Sequence, residues 1–442
     1  MTPPLAGSIP PDIGDRLLGL IRTLLPFNRS ITGQGVRDTL AAVSEVAPLE
    51  VHAIPTGTQV FDWTIPKEWN LREGYIEDAR GNRIVDSRNS NLHVVGYSVP
   101  IDARMPLAEL KRHLHSLPDQ PDWIPYRTSY YKETWGFCLT HRQLEALADG
   151  EYRARIDATL EPGVLNYGEA VIPGRSTDEF LLSAHVCHPA LCNDNLSGIA
   201  IAAWLARLLA QQPRRYTYRI LFAPGTIGAI AWLATHRETL GRVKHGLVLA
   251  LLGRSAPLTY KKTRNGTAAI DAVAAHVLRR RGEAHEIVEF SPWGYDERQF
   301  NSPGIALDVG RLSRGAEGSY PEYHTSADDI DLVSAAALRE SFAAVCEIID
   351  VVERNGRYRN LRGCGEPQLG KYGLYENLGG ASSVTAARLA LLWVLNQSDG
   401  SHSLLDIAER SGLLFDDIVF AAERLRAAGL LEPLDGGLHE GA

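Results

Sequence analysis

The sequence predicts an α/β protein: a mostly parallel sheet flanked by helices, with an inserted small β-rich domain and a helical C-terminal module. Three observations predict it. From about 169 to 349, apolar strands alternate with helices, which is the punctuation of βαβ units. Between 51 and 160 the texture changes to short strands with tryptophans, prolines and turns. After Gly380, three amphipathic helical stretches lead into a strand and a glycine-rich turn. The implied division is 1–50 with 161–375 for the α/β domain, 51–160 for the insert and 380–442 for the last module.

Taken in order, 12–48 reads as helices around the turn Asn28-Arg29-Ser30-Ile31-Thr32-Gly33. In the insert, 61–66, 92–97 and 152–156 read as strands, because alternation bounded by Gly and Pro marks antiparallel pairing. The α/β part gives strands at 180–184, 218–222 and 246–252, and helices at 196–210, 227–240, 267–281 and 333–352. Near the C-terminus, helices at 388–395, 404–411 and 415–428 stop at Gly429, the usual residue just past a helix end. A strand at 430–434 and the turn Asp435-Gly436-Gly437 then complete a winged helix.

Composition excludes some functions. The 442 residues carry a net charge of −8, which argues against nucleic acid as the main partner. The winged helix carries Arg388, Arg410, Arg424 and Arg426, no lysine, and nine Asp and Glu. Such a surface lacks the phosphate-neutralising charge DNA binding needs, so it reads as a packing module or a contact for a protein partner or second copy. No basic leader precedes an apolar core and no run is long enough to span a bilayer; the expectation is a cytoplasmic protein without a membrane role. The five cysteines, at 138, 187, 192, 346 and 364, form neither a CxxC pair nor an even framework, consistent with a reduced compartment.

Chemistry concentrates at 180–198. An apolar strand runs into His185, followed by Cys187, His188 and Asn193-Asp194-Asn195 just before an apolar helix. Ligands bind at the carboxyl ends of strands in open α/β sheets, beside the positive N-termini of helices. This loop therefore reads as a metal site. Far downstream, Trp293, Tyr295, Asp296 and Glu297 form one polar and aromatic loop, and Tyr320, Glu322, Tyr323 and His324 another. An imidazole from such a loop, His324, gives three protein ligands and leaves a fourth position for substrate or water. His188 or Cys187 could add a ligand, only one of them beside His185, since alternate residues on an extended segment point oppositely.

The order His185…Asp194-Asn195-x-Ser197-Gly198…Tyr323-His324-Thr325-x-x-Asp328 resembles the co-catalytic zinc aminopeptidases of the bacterial leucyl aminopeptidase type, whose clan includes glutaminyl cyclases. A bacterial family of aminopeptidase-like proteins is similar nearly end to end. The shared stretches are Asn28 to Gly33, Trp123-Ile124-Pro125-Tyr126-Arg127, His185-Val186-Cys187-His188-Pro189, Tyr320 to Ser326, and the winged helix. The resemblance implies zinc, with His185, Asp194 and His324 as ligands and Asp194 the carboxylate that bridges metals in dinuclear members. Gene neighbourhoods of that family imply polysaccharide or specialised-metabolite biosynthesis.

Two departures stand out. In Ala223-Pro224-Gly225-Thr226-Ile227-Gly228, Gly225 stands where the resemblance calls for a general-base glutamate. In Gly253-Arg254-Ser255, no carboxylate completes a second metal site. The expectation is one zinc ion per chain, open room beside it at Gly225, and weakened ordinary peptidase activity. Asp296, Glu297 or Glu322 could serve as a substitute base. Trp293, Tyr295 and Tyr320 would contact substrate, and Arg311 and Arg314 could hold an anionic group. Three readings stay open: a divergent zinc enzyme that transfers, cyclises or condenses a small-molecule or aminoacyl substrate; an amidohydrolase using the substitute base; and a degenerate binding or scaffold protein.

Overall fold

The computed structural model describes residues 3–316, 318–374 and 381–434; the expected turn Asp435-Gly436-Gly437 lies outside them. Its core is an eight-stranded sheet built from β1 (Glu50–Pro55), β2 (Val164–Ile172), β3 (Glu179–His185), β4 (Thr217–Ala223), β5 (Val243–Leu249), β6 (Leu258–Lys261), β7 (His285–Val288) and β8 (Val309–Arg314). The spatial order is β1-β2-β4-β3-β5-β8-β6-β7. The middle pairs β4·β3, β3·β5 and β5·β8 are parallel, as the strand–helix alternation predicts. The flanks reverse: β1·β2, β2·β4 and β6·β8 are antiparallel.

β3 lies in the middle of this sheet, and every one of its residues is buried, as an apolar run covered on both faces should be. It ends on His185. Helix α1 (Ser197–Leu209) follows, small and apolar enough that most of it is buried. Its first turn can approach the end of β5 because residue 198 is glycine: a Cβ there would collide with the Leu249 carbonyl and the Asn195 side chain.

The insert forms a four-stranded antiparallel sheet, in the order Arg83–Asp86, Glu68–Asp78, Glu151–Glu161 and Ile101–Pro106. Its Trp69, Ile76 and Phe137 share one apolar core with Leu165, Leu221 and Trp232 of the α/β part. Two expected strands do not run as read. The chain reverses within 61–66, Gln59–Val60 pairing with Trp63–Thr64 around the tip Phe61-Asp62. Segment 92–97 is a short 3-10 turn, Asn91–His93, followed by isolated bridges at Val94 and Gly96. Tyr97 ends any extended run there with a φ of 68°, its hydroxyl tied to Thr32 and the Lys67 carbonyl.

Residues 214–216 and 348–442 form a separate compact unit. Its three-stranded sheet centres on Arg357–Asn360, between Asp399–Ser403 and Leu431–Pro433. This unit therefore reaches upstream of the expected start at 380, because its middle strand comes from there. The helices are Ala381–Gln397, Leu404–Ser411 and Phe415–Ala427; the second starts in a reciprocal cap between Ser403 and Asp406. Among the described residues, no helix is long and apolar enough to cross a membrane.

Candidate metal centre

After β3 the chain loops back and brings Asp194, fully buried, beneath His185. His185 Nε2 lies 2.9 Å from Asp194 Oδ1, and His324 Nε2 lies 3.0 Å from Oδ2. His188 Nδ1 is 3.1 Å from the Asp194 carbonyl oxygen and 3.4 Å from Oδ2. Burial alone would raise the Asp194 carboxyl, but the His188 charge and the three imidazole contacts outweigh it and hold it well below the usual carboxylate range. Burial opposes charge on His188 too, yet Cys187 and Asp194 lift it well above the usual histidine range. His185, under the same burial, is lowered.

The donors fit a divalent metal in number, type and spacing. Among the described residues, the group whose ligand atoms all lie within 4.8 Å of one another is His185, His188 and Asp194. The expected ligand His324 stands outside that group, on the second oxygen of Asp194.

Neighbours hold these groups in place. Asp328 accepts the backbone N–H groups of Asn193 at 2.6 Å and Asp194 at 3.0 Å; burial, backed by the Asp194 charge, pushes its carboxyl up to about 7. Asn195 donates to the Leu249 carbonyl at 3.0 Å and sits 3.3 Å from His185 Nδ1. Tyr295 stacks on His185, with ring centroids 4.7 Å apart, and Tyr323 stacks on His324 at 4.0 Å. The insert takes part as well. Tyr126 presents its ring edgewise at 5.2 Å to both His188 and His324, and its backbone N–H donates to the His324 carbonyl at 2.8 Å. The N-terminal turn contributes Arg29, whose buried guanidinium donates to the His188 carbonyl at 2.9 Å.

Gly225 borders the same centre, and a side chain there would meet His185 and Asp296 first. A Cβ on Gly225 would sit 3.2 Å from His185 Cβ and 3.5 Å from Asp296 Oδ1. Asp296 is 1% exposed, and among the described residues neither carboxylate oxygen has a hydrogen-bond partner. Burial, then the adjacent Glu297, push its carboxyl up to about 7, against Arg298 and His188. Its neighbour has a different fate. Glu297 is locked in a buried ion pair, 2.9 Å from Lys261 Nζ and 3.3 Å from Arg311 Nη1.

The remaining expected site residues divide. Tyr320 is buried and bonds Asp328 and Asn193 through its hydroxyl, so it braces the Asp194 loop. Arg311 faces Tyr295 and Glu297. Arg314 is unsuited to an anionic substrate group: all three of its guanidinium nitrogens are engaged, by Ser341, the Ala256 and Ala337 carbonyls and Glu340. Trp293 is 72% exposed and meets the buried charges only through its carbonyl. Glu322 serves its loop through its carbonyl, which accepts from Thr325 N and Oγ1. The Cys187 thiol points to the Gly225 carbonyl at 3.5 Å. Arg254 spreads over the Tyr320 ring at 4.6 Å.

Sequence reasoning gave no role to Asp328, Asn195, Tyr126, Arg29 or Lys261. The first four lie inside motifs already singled out, and their place within those motifs was the available signal. Lys261 lies outside those motifs and carries none.

Comparison with known proteins places the fold. A family model described as a domain of unknown function (DUF4910) matches residues 18–355, and a winged helix-turn-helix model matches 356–433. A Clostridium acetobutylicum protein, named provisionally for polysaccharide biosynthesis with an aminopeptidase-like domain, is 45% identical over 95% of this chain and 97% of its own length. A crystal structure of a provisionally assigned peptidase from Clostridium acetobutylicum aligns with a TM-score of 0.89 at 43% identity, covering 97% of both chains. The zinc aminopeptidase of Bacillus subtilis aligns over 77% of this chain and 95% of its own with a TM-score of 0.56, at 15% identity, a likeness of fold. The chain belongs to the DUF4910 family, with an aminopeptidase-like α/β fold continued into a winged helix.

Proposed function

We propose that this protein is a metal-dependent enzyme that cleaves an amide bond on a saccharide or saccharide precursor, with Asp296 as the proton acceptor in place of the glutamate missing at 225. The observation that carries the reading is the Asp296 carboxylate, buried beside Gly225 with no hydrogen-bond partner among the described residues. A bare carboxylate in such a place is costly unless it has a use. The saccharide comes from the name of the Clostridium acetobutylicum relative.

His185, His188 and Asp194 would hold one divalent ion of the zinc class, with His324 fixing the second carboxylate oxygen. Bound there, the ion supplies Lewis-acid polarisation of the amide carbonyl. Asp296 accepts the proton of the attacking water and returns it to the departing amine, so that one water is consumed and no other reactant is needed. Tyr295 and Tyr323, stacked on the imidazoles, keep the rings oriented and bulk water out.

Metal content of purified protein and of single variants tests the ligand set. His188→Ala should lose the ion as fully as His185→Ala. His324→Ala should weaken it by about 10–100-fold, the usual effect of an outer-sphere partner. If His324→Ala abolishes binding while His188→Ala keeps it, the ligand set is the one with His324. Cleavage of N-acyl amino sugars by the metal-loaded protein, lost in Asp296→Asn, tests the reaction.

A further inference from the structure

We propose that an aromatic cleft away from the metal ligands, formed by the tip of the 59–64 hairpin and two helices, is a binding site for a neutral saccharide. The cleft encloses about 320 Å3, the lower end of the range for small-ligand sites. Its walls include Phe61, Asp62, Trp63, Leu233, Arg237 and Gln299.

The aromatic residues of the cleft stand largely open to solvent. Phe61 is 42% exposed and Trp63 45%, and Tyr131, outside the cleft lining and 54% exposed, meets the Trp63 ring at 5.4 Å. Phe61 forms the tip of a two-residue hairpin with φ at 54°, and Tyr131 has φ at 63°. Both angles lie in the left-handed region, which glycine and asparagine favour and large side chains avoid. Of the cleft's own rings, burial does not explain Phe61, and backbone preference disfavours it. Strained positions of this kind gather at ligand sites. The hairpin is also held stiff: Gln59 Nε2 donates to the Phe61 carbonyl at 2.7 Å, and Thr64 Oγ1 donates to Gln59 Oε1 at 3.1 Å.

The lining selects the ligand class. Flat exposed rings offer π-faces to the C–H face of a pyranose, and planar carboxylate, guanidinium and amide ends offer paired hydrogen bonds to vicinal hydroxyls. Asp62 and Arg237 balance one another in charge, so a phosphate or other strong anion is not favoured. The helices that form the cleft, Ile227–Thr235 and Glu297–Phe300, begin next to Gly225 and Asp296. A saccharide held here lies along the same elements that carry the proton acceptor. The proposal takes the saccharide class from the functional reading but depends on neither the metal nor cleavage.

The test is titration of the full-length protein with cellotetraose, chitotetraose and maltotetraose, read by tryptophan fluorescence and calorimetry. At least one should give a saturable signal at millimolar concentration or below. Trp63→Ala should weaken it by about tenfold, the scale of one aromatic stacking contact; Gln299→Ala and Arg237→Ala should weaken it from the other wall. Phe420→Ala, an exposed ring of the C-terminal unit, should not. Metal content and near-ultraviolet circular dichroism of each variant show that it is folded. Saccharide binding that survives in Asp194→Ala separates this site from the metal reading. The proposal is overturned if no saccharide of the three gives a Trp63-dependent signal. It is equally overturned if Trp63→Ala converts a dimer to a monomer in sedimentation, which would assign the face to a second copy.

Discussion

Asp194 and Asp296 are both shut away from water, 0% and 1% exposed, yet the chain treats them in opposite ways. Asp194 faces His185, His188 and His324 and is held well below the usual carboxylate range. Asp296 has no hydrogen-bond partner for either oxygen among the described residues, and is pushed up to about 7 by its burial and by Glu297. One environment makes a permanent anion, as a metal ligand must be. The other makes a group that takes up and gives back a proton near neutrality, as an acid–base group must. Two carboxylates driven apart in this manner are what the proposed roles of metal ligand and proton acceptor require.

The largest effect should come from the anion. Asp194→Ala removes the group on which three imidazoles converge, so metal content should drop to background and amide cleavage with it. Retention of a full equivalent of metal would break the comparison at its first half. Asp296→Asn tests the second half. It should keep the metal and lose about 10²–10⁴-fold in kcat, the span of a general base. The pH profile carries the sign. Only ionised Asp296 accepts a proton, so wild-type activity should rise as pH rises through about 7, and the Asn variant should lack that rise. An unaltered profile in Asp296→Asn would hand the role to another group.

Gly225→Glu sharpens the contrast further. In sequence, the missing side chain suggested vacant space beside the metal; in the structure, a Cβ there meets Asp296 Oδ1 at 3.5 Å. The new carboxylate would share one buried space with the old, and two such groups cannot both ionise freely. Cleavage should therefore fall in Gly225→Glu alone, and recover in part when Asp296→Ala is added. An increase in the single variant would mean that the position was simply empty and Asp296 idle.

How much of this was legible depends on chain distance. His185 and Asp194 lie on one strand-and-loop, so their company could be read directly, and the apolar β3 with its small-residue helix declared the sheet. His324 and Asp296 were named because polar aromatic loops stand out, but their geometry was not. Asp296 and Glu297 are neighbours of one charge, and sequence cannot tell which meets the Gly225 gap and which meets Lys261. Arg311 and Arg314 posed the same problem on β8; helix Ala335–Arg354 claims the second. The clamp of Tyr126 on His324 joins segments far apart in sequence, where no local pattern reaches. At 92–97, alternation suggested a strand, and the left-handed Tyr97 overrode it.

The smallest effect expected on catalysis is also the most specific. Glu297→Gln removes the charge that, after burial, raises Asp296, while keeping shape and one oxygen toward Lys261 and Arg311. Lowering the Asp296 pKa makes its ionised form available at more acidic pH, so the rise in activity should move below about 7 with little change in its plateau. Stability should suffer more than rate. Lys261 and Arg311, 2% and 1% exposed, lose the carboxylate between them, and breaking a buried pair in this way costs about 3–5 kcal/mol. Thermal unfolding with metal bound measures that loss, and the pH–rate profile measures the shift. A profile whose midpoint stays in place, in a variant shown to be destabilised, would mean that the titrating group is out of reach of Glu297, and so is not Asp296.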